Sequence, residues 1–157
     1  KLESEKLASS INDHLIIRTA WVNDIHNESK CFVMQVINSL KNNKKFTVYS
    51  DQYGHPTLSS NLAEMVIELI IKNQKGIFHA TGLTYVDRFN FALKIAKTFS
   101  LNSSLLEKSI KTESHDSTIR PLRVNLDLSK IQSILDTKIL NLDEQLVVMK
   151  NIFDEIS

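Results

Sequence analysis

Residues 57–80 read TLSSNLAEMVIELIIKNQKGIFHA, a helix pattern followed directly by a strand pattern. Thr57 stands where a helix N-cap is expected, and Gly76 stands where the helical pattern stops. Residues 77–80 then form a short apolar segment of strand type. The apolar positions of the helix recur every three or four residues: Leu58, Leu62, Met65, Val66, Leu69 and Ile70. A helix that leads into a buried strand is typical of an α/β fold.

Strand and helix patterns alternate on both sides of this stretch. Upstream, residues 14–22 contain a continuous apolar run, which predicts a strand covered on both faces. A helical stripe over residues 32–40 and a strand at Phe46–Tyr49 follow it. Parallel neighbours need a crossover, and a helix supplies it, so the alternation predicts an α/β fold with mainly parallel strands.

Three helices are predicted downstream from their start signals. Thr84 and Asp87 have the spacing of a capping box ahead of an apolar stripe. Asp127 is placed to cap the next helix, whose apolar stripe extends to Leu135. Asn141 and Glu144 lead the last helix. No internal repeat or low-complexity tract interrupts this order.

Length and charge narrow the class of protein. With 42% hydrophobic side chains, residues 1–157 can bury one sizeable core, and we predict a single domain. Nineteen basic and eighteen acidic residues leave a formal net charge of +1. Such a balance creates no long-range field for nucleic acid or an anionic membrane, so neither is an expected partner.

The reactive and metal-binding residue types give few signals. The only cysteine, Cys31, cannot form an internal disulfide, and no segment resembles a signal peptide or reaches membrane-spanning length. These features favour a reducing cytoplasm. The histidines and Cys31 lack a recognisable metal-ligand spacing, so we expect no metal site. No G-x-S-x-G segment is present, which argues against a Ser-His-Asp hydrolase.

Several segments, taken in order, resemble one known family. The chain opens with KLESE, residues 18–22 read RTAWV, and residues 76–82 read GIFHATG. The most specific segment is DQYGHPT at residues 51–57, which matches the pattern D-Q-x-G-x-P-T. Over nearly its whole length the sequence resembles the C-terminal half of dTDP-4-dehydrorhamnose reductases, which are extended short-chain dehydrogenases/reductases. The resemblance implies the C-terminal part of a Rossmann-like fold without its cofactor-binding half.

The resemblance implies a catalytic role for Lys1. It would be the lysine of a Tyr-x-x-x-Lys pair whose tyrosine lies four residues upstream of this chain. In such enzymes the tyrosine protonates the carbonyl oxygen while the nicotinamide delivers hydride to the carbonyl carbon. The lysine ammonium favours the phenolate and holds the nicotinamide ribose, because a phenol with a pKa of about 10 needs a nearby cation to titrate closer to neutrality. The implied reaction is reduction of a 4-keto sugar nucleotide by NADPH or NADH.

The cofactor itself is not expected to bind this chain. Its glycines, Gly54, Gly76 and Gly82, are too scattered to form a Gly-rich dinucleotide loop at a helix N-terminus. We therefore expect NADPH or NADH to bind only in a full-length parent that adds an N-terminal Rossmann half. This chain alone is expected to show no turnover, and a homodimer is left open.

The resemblance also implies substrate-binding residues. Trp21 follows the buried strand, where ligands gather in open α/β sheets, and its indole suits stacking on a sugar. Gln52 lies in the loop that borders the sugar-nucleotide site, and Arg120 suits bidentate bonds to a diphosphate. Each has a structural alternative: core packing for Trp21, turn chemistry for the Gln52 loop, and a surface ion pair for Arg120. Arg18, inside an apolar strand, is expected to pair with a carboxylate or carbonyl, and His79 to be a core or strand-end histidine.

Departures from the family pattern leave the sugar open. Asn23 and Asp24 replace the usual Tyr-Gly, Cys31 replaces a common asparagine, and Asn125 replaces a small residue. Two other functions also stay open. One is a non-catalytic binding subunit resembling the regulatory beta subunit of methionine adenosyltransferase, and the other is a stand-alone α/β interaction module. A tyrosine four residues before Lys1 and an upstream Gly-rich loop would favour the enzyme.

Overall fold

The computed structural model describes residues 1–26, 28–110 and 121–156. The α-helices within these ranges are α1 (Leu2–Ser9), α2 (Phe32–Lys41), α3 (Ser59–Ile71), α4 (Arg88–Thr98), α5 (Ser129–Gln132) and α6 (Leu142–Ile156). The strands are β1 (Leu15–Arg18), β2 (Val22–Asn23), β3 (Phe46–Tyr49), β4 (Tyr53–Gly54), β5 (Thr57–Leu58), β6 (Gly76–His79), β7 (Val86–Asp87) and β8 (Leu106–Ser109). A single 3-10 turn at Ser103–Leu105 precedes β8. Strands and helices thus alternate, as the sequence predicts.

The strands form four two-stranded ladders across the described ranges. Three are parallel: β1 with β6, β2 with β5, and β3 with β8. The fourth, β4 with β7, is antiparallel. In the first ladder Leu15 lies opposite Gly76, and Arg18 lies opposite His79. The predicted α/β class with mainly parallel pairing is confirmed.

The strand predicted at residues 14–22 is wrong in its extent. β1 ends at Arg18, and the chain resumes as β2 at Val22 in a different ladder. Between them Trp21 has a φ of 40°, in the left-handed region. An extended strand cannot contain that conformation, so the chain leaves β6 at this point and joins β5.

Asparagines in the left-handed conformation follow two helices. The C-cap of α2 is Asn42, and the next residue, Asn43, has a φ of 52°. The C-cap of α3 is Lys72, followed by Asn73 with a φ of 51°. Asparagine tolerates this region better than most residues. The prediction that Gly76 stops α3 is therefore wrong; with a φ of 90°, Gly76 instead begins β6.

The predicted Thr84 cap of α4 is also wrong. Asp87 is the N-cap, and its carboxylate accepts from the Asn90 amide N–H at 2.9 Å. Asp87 also belongs to β7, so the helix cannot begin earlier. The Thr84 hydroxyl instead accepts from the Leu142 amide at 2.9 Å and thereby closes the start of α6.

The predicted start signals of the last two helices agree better with the structure. The Glu144 amide donates to Asn141 Oδ1 at 3.0 Å, and the Asn141 amide donates to Glu144 Oε2 at 2.9 Å, which is the reciprocal capping box. The Asp127 carboxylate accepts from the Ser129 amide at 2.9 Å. The prediction that Asp127 is the N-cap of α5 is nevertheless wrong by one residue, because the N-cap is Leu128, and that helix ends at Gln132, short of the predicted stripe.

Two buried clusters form the core. The larger one joins α2, α4 and α6 and includes Val36, Ile37, Phe91, Ile95 and Leu146. The second lies between α3, α5 and the β1–β6 ladder and includes Met65, Leu69, Phe78 and Ile131. None of the helices in the described ranges is long and apolar enough to cross a membrane. The larger cluster borders the Trp21 turn, which makes that turn part of a packed structure.

Candidate functional site

The Trp21 turn, defined here as residues 19–23, combines a strained backbone with a dense set of hydrogen bonds. The Trp21 carbonyl accepts from the Thr57 amide at 3.1 Å and from Asn23 Nδ2 at 2.5 Å. A bulky residue at positive φ costs roughly 1–3 kcal/mol and persists only where its surroundings fix it. Such strain clusters at functional sites, which makes this turn the first candidate.

Thr57 fixes the turn from the neighbouring strand. Its side chain is buried, and its hydroxyl donates to the Ala20 carbonyl at 2.7 Å. The same oxygen accepts from the Gly82 amide at 3.2 Å. The prediction that Thr57 caps α3 is therefore wrong: the N-cap is Leu58, and the Thr57 hydroxyl is already committed to the turn.

The indole of Trp21 is held between a glycine and other aromatic rings. Gly54 lies so close that a Cβ added there would be 2.7 Å from Trp21 Cε2. The Phe91 ring is nearly parallel to the indole, with centroids 6.4 Å apart and planes 10° apart. The glycine of the D-Q-x-G-x-P-T segment therefore makes room for the tryptophan of the R-T-A-W-V segment.

Arg88 is a site residue that the sequence analysis missed. The carbon at the centre of its guanidinium lies 4.8 Å from the Trp21 ring centroid and 4.9 Å from that of Phe32. Cation–π contacts of this kind contribute about 0.5–2 kcal/mol. The β4–β7 ladder creates the contact by placing the start of α4 beside the Gln52 loop. An antiparallel pair of two-residue strands leaves no periodic signal by which sequence reasoning could find it.

Gln52 lies beside this cluster, as its predicted role requires. Its carbonyl accepts from the Arg88 amide at 2.9 Å, and it precedes β4 by one residue. The side chain is half-buried. The structure therefore brings the Gln52 loop and Trp21 to one place, with the backbone of Gln52 serving as the link.

A cavity of about 180 Å³ opens beside the indole. Its walls carry aromatic, apolar and polar side chains. They are formed by Trp21, Val22, Asn23, Phe32, Gln35, Arg88 and Phe91. Carboxamides can donate and accept, and a guanidinium donates, so the cavity suits a hydroxylated or carbonyl-bearing ligand with one apolar face.

Lys1 lies at the same end of β1 but in another depression. Glu5, one turn into α1, contacts Arg18 at the carboxyl end of β1, so α1 begins where β1 ends. Lys1 is exposed and lines an open groove with Glu5, Arg18 and Thr19. That groove reaches to within two residues of Trp21, although Lys1 does not line the indole cavity itself.

Comparison with known proteins identifies the family. The family model described as "RmlD substrate binding domain" matches residues 1–154. The chain belongs to this family. The resemblance stated from the sequence is confirmed, and so is the fold class that it implied.

Relatives of this RmlD substrate-binding domain are reductases and polysaccharide-biosynthesis proteins. The spore coat polysaccharide biosynthesis protein SpsK of Bacillus subtilis is 33% identical over 122 residues, which cover 77% of this chain and 41% of SpsK. The dTDP-4-dehydrorhamnose reductase of Aggregatibacter actinomycetemcomitans is 29% identical over 144 residues, covering 84% of this chain and 48% of the enzyme.

A solved structure supports the fold. The crystal structure of dTDP-4-dehydrorhamnose reductase from Bacillus anthracis in complex with NADP matches with a TM-score of 0.83 at 22% identity. The match covers 95% of this chain and 52% of that enzyme. The chain spans about half the length of the curated relatives that it matches.

The glycines of this RmlD substrate-binding domain do not fit a dinucleotide cradle. Gly54 is packed against Trp21, and a Cβ added at Gly82 would be 2.2 Å from the Pro56 carbonyl oxygen. Gly76 begins β6. Phosphate cradles instead group glycines in a loop that opens a helix. The glycines of the described residues therefore do not form a Gly-rich loop at a helix N-terminus.

The remaining predicted residues have the following positions. Arg18 pairs with Glu5, with Nη2 to Oε1 at 2.5 Å and Nε to Oε2 at 3.2 Å, so the expected carboxylate partner is present. The hydrogen bond from Arg18 holds the pKa of Glu5 below its ordinary value. The Arg18 side chain is exposed at the end of β1. His79 is at the end of β6, with Nδ1 3.0 Å from the Asp127 carbonyl oxygen.

The last two predictions concern Arg120 and the absence of a metal site. Arg120 lies outside the described residues. Within the described ranges, no three His, Cys, Asp or Glu side chains are grouped so that they could hold a metal ion.

Proposed function

We propose that this chain is the substrate-binding half of an NAD(P)H-dependent reductase that acts on a 4-keto sugar nucleotide similar to dTDP-4-dehydrorhamnose. The observation that carries the proposal is the strained Trp21 turn beside a cavity with carboxamide groups, in a chain of this family. An indole face suits the apolar face of a sugar ring, and carboxamides suit its hydroxyl groups. The name of the Aggregatibacter relative and the NADP in the Bacillus anthracis structure support the substrate class and the cofactor.

Lys1 is proposed to act in the proton transfer of that reductase. Its ammonium would lower the pKa of a neighbouring tyrosine phenol, which gives its proton to the carbonyl oxygen of the substrate. The nicotinamide cofactor supplies the hydride in reductases of this type. The exposed position of Lys1 at the carboxyl end of β1 supports this role, because ligands gather at that end of parallel strands.

The sugar nucleotide is proposed to contact Trp21 and Gln52, with Arg120 on its diphosphate. Trp21 and the Gln52 loop lie together beside the indole cavity. Residues 1–157 are proposed to act as one substrate-binding domain. Of the departures, Asn23 lines the same cavity and Cys31 precedes its wall residue Phe32, which supports a sugar different from that of better-known relatives.

The outer face of α1 is proposed to be covered by an N-terminal Rossmann half. Leu2 and Leu7 of α1 and Ile11 just beyond it are 66%, 72% and 61% exposed, and a protein rarely leaves so much apolar surface together in water. β1 pairs with β6 on one edge only among the described strands, which leaves its other edge for a further strand. The double length of the relatives supports such a half. A homodimer and a cytoplasmic location stay predictions.

The first experiment tests the reaction in the full-length protein. NADPH and a panel of 4-keto sugar nucleotides are added, and nicotinamide absorbance is followed. We expect loss of absorbance with at least one dTDP sugar. The variant Trp21→Ala should lower kcat/KM by about tenfold or more, which is the loss expected when an aromatic stacking contact is removed.

A pair of glutamine variants provides the matched control. Gln52→Ala should raise KM, whereas Gln74→Ala should leave it unchanged. Gln74 lies before β6, at the opposite end of the β1–β6 ladder from the Trp21 turn. No turnover of any 4-keto sugar nucleotide by the full-length protein would contradict the proposal.

A second experiment concerns this chain alone. Calorimetric titration should give weak sugar-nucleotide binding at most, and no NADPH binding, because the described glycines form no phosphate cradle. Submicromolar NADPH affinity of residues 1–157 would refute the proposed division into halves.

The binding-subunit alternative is not favoured. The relatives are named as reductases or as polysaccharide-biosynthesis proteins, and the family is a substrate-binding one. The reductase therefore remains the proposal to test first.

A further inference from the structure

We propose that Arg88 is a positioning residue that fixes the indole of Trp21 for the sugar nucleotide. This inference rests on the proposed function, because it assigns a purpose to the placement of Trp21. Arg88 would act through the indole and through the Gln52 loop, without itself taking part in the reaction. Its side chain lines the indole cavity beside Trp21.

The position of the guanidinium supports this role. Its central carbon is almost equally distant from the Trp21 and Phe32 ring centroids, at 4.8 and 4.9 Å. The Phe32 ring in turn lies 5.4 Å from that of Phe91, which is stacked with Trp21. Arg88 thus closes a ring of contacts around one side of the indole. A planar guanidinium can rest on an aromatic face in a way that a lysine ammonium cannot.

The backbone of Arg88 is fixed independently of its side chain. Its amide donates to the Gln52 carbonyl at 2.9 Å, and it is the first residue of α4 after the Asp87 cap. A short side chain at this position would leave the backbone contact intact. The side-chain effect can therefore be separated from the fold of the loop.

Trp21 needs such support because its backbone is strained. At a φ of 40° the residue gains from any rearrangement that relaxes it, and relaxation would swing the indole. Gly54 blocks movement of the indole in one direction, because the indole already contacts that glycine. Arg88 lines the cavity, where space is available, and blocks movement of the indole into it.

The test uses the fact that the chain contains one tryptophan. In the full-length protein, the fluorescence of Trp21 is obtained by subtracting the signal of a Trp21→Leu variant, and its quenching by acrylamide is measured. Arg88→Met keeps length and apolar bulk but removes the cation, and Arg88→Lys restores a cation without the planar group. We expect Arg88→Met to raise the Trp21 quenching constant about twofold and KM for the sugar nucleotide about fivefold, with kcat within about twofold, and Arg88→Lys to fall in between.

A double-mutant cycle links the two effects. If Arg88 acts through the indole, Arg88→Met should add little to the KM of the Trp21→Leu variant, so the two KM changes should be far from additive. Arg123→Met is the matched control. The Arg123 guanidinium lies 5.3 Å from the Tyr53 ring rather than over the indole, so Trp21 quenching should not change.

The outcomes separate this inference from the proposed function. If Trp21→Leu raises KM but Arg88→Met leaves Trp21 quenching unchanged, or if the KM effects add, the positioning role is overturned while the proposed function stands. If Trp21→Leu leaves KM unchanged, the substrate role of Trp21 fails, and the inference fails with it.

Discussion

The Trp21 turn follows β1 and α1 precedes it, and the two regions differ in how far this chain completes them. At the turn, the Thr57 hydroxyl and amide and the Asn23 carboxamide donate to the Ala20 and Trp21 carbonyls, and the Phe91 ring is stacked with the indole. α1 buries none of its residues, and its leucines face outward. The turn is therefore formed within this chain, whereas α1 leaves its leucines exposed.

The largest expected effect is at Gly82, whose amide donates to the Thr57 hydroxyl that in turn holds the Trp21 turn. In Gly82→Ala the new Cβ would be 2.2 Å from the Pro56 carbonyl oxygen, a backbone atom that cannot move aside easily. We expect the free energy of unfolding to fall by about 3 kcal/mol, at the upper end of overpacking costs, as measured by urea denaturation.

Gly76→Ala is the control for that substitution. A Cβ at Gly76 meets nothing within 4 Å, so the cost comes only from its φ of 90° and should be roughly 1 kcal/mol. Equal losses of unfolding free energy for the two variants would show that crowding against the Pro56 carbonyl oxygen is not the reason why position 82 requires glycine.

Thr57 gives the second prediction. Thr57→Val keeps the shape but removes the donor to the Ala20 carbonyl and the acceptor for the Gly82 amide. Leaving buried polar groups without partners should lower the free energy of unfolding by about 2 kcal/mol. Thr47→Val, on the exposed side of β3, is the matched control and should change it by less than about 0.5 kcal/mol. A loss as small as that of the control would mean that the turn does not depend on this hydroxyl.

The two regions also differ in how much of them the sequence predicts. The helical stripes of α2 and α3, the strand Phe46–Tyr49 and the Asn141 capping box are confirmed, because periodicity and capping are local properties. The break at Trp21 was missed because its φ is imposed from another strand, through the Thr57 amide and hydroxyl. Local propensity carries no information about such a partner.

The candidate site shows the same division. Trp21 and Gln52 came from the family resemblance, and the structure brings their segments together. Arg88 and Gln35 were missed because they reach the cavity only after α2 and α4 have packed. Thr57 and Thr84 were both predicted as caps of the helix that follows them, yet their hydroxyls serve distant segments. A hydroxyl near a helix start indicates a cap only when no tertiary partner competes for it.

Acid titration should separate a carboxylate that has several hydrogen-bond partners from an exposed carboxylate on α1. Glu68 accepts from the amides of Asp136 and Thr137 at 2.7 and 2.8 Å and pairs with Lys72. The hydrogen bond from Lys72 is the largest of the causes that lower the pKa of Glu68 from 4.5 to about 2. A lowered folded-state pKa stabilises the fold above the unfolded value, and this stabilisation is lost as pH falls from about 4.5 towards 2.

The variant Glu68→Gln should therefore have a lower Tm at neutral pH and lose less Tm than the parent between pH values of about 5 and 2. Glu3→Gln is the control, since Glu3 is an exposed side chain on α1 that pairs with Lys6 one turn away. Its Tm should follow the parent at every pH within about 1 °C, because exposed ion pairs of this kind contribute little. If Tm falls with pH by the same amount in Glu68→Gln and the parent, ionised Glu68 does not supply the pH-dependent stabilisation.

The smallest effect is expected on α1 itself. Leu7 is 72% exposed, so Leu7→Gln removes almost no buried area and should change the unfolding free energy of this chain by less than about 0.5 kcal/mol. In the full-length protein a covering Rossmann half would bury Leu7, and the same substitution should then cost about 1–2 kcal/mol. Asn12→Gln, a polar change just beyond α1, should be neutral in both. If Leu7→Gln is equally neutral in the full-length protein, α1 is an outer surface there too, and its apolar face requires another partner.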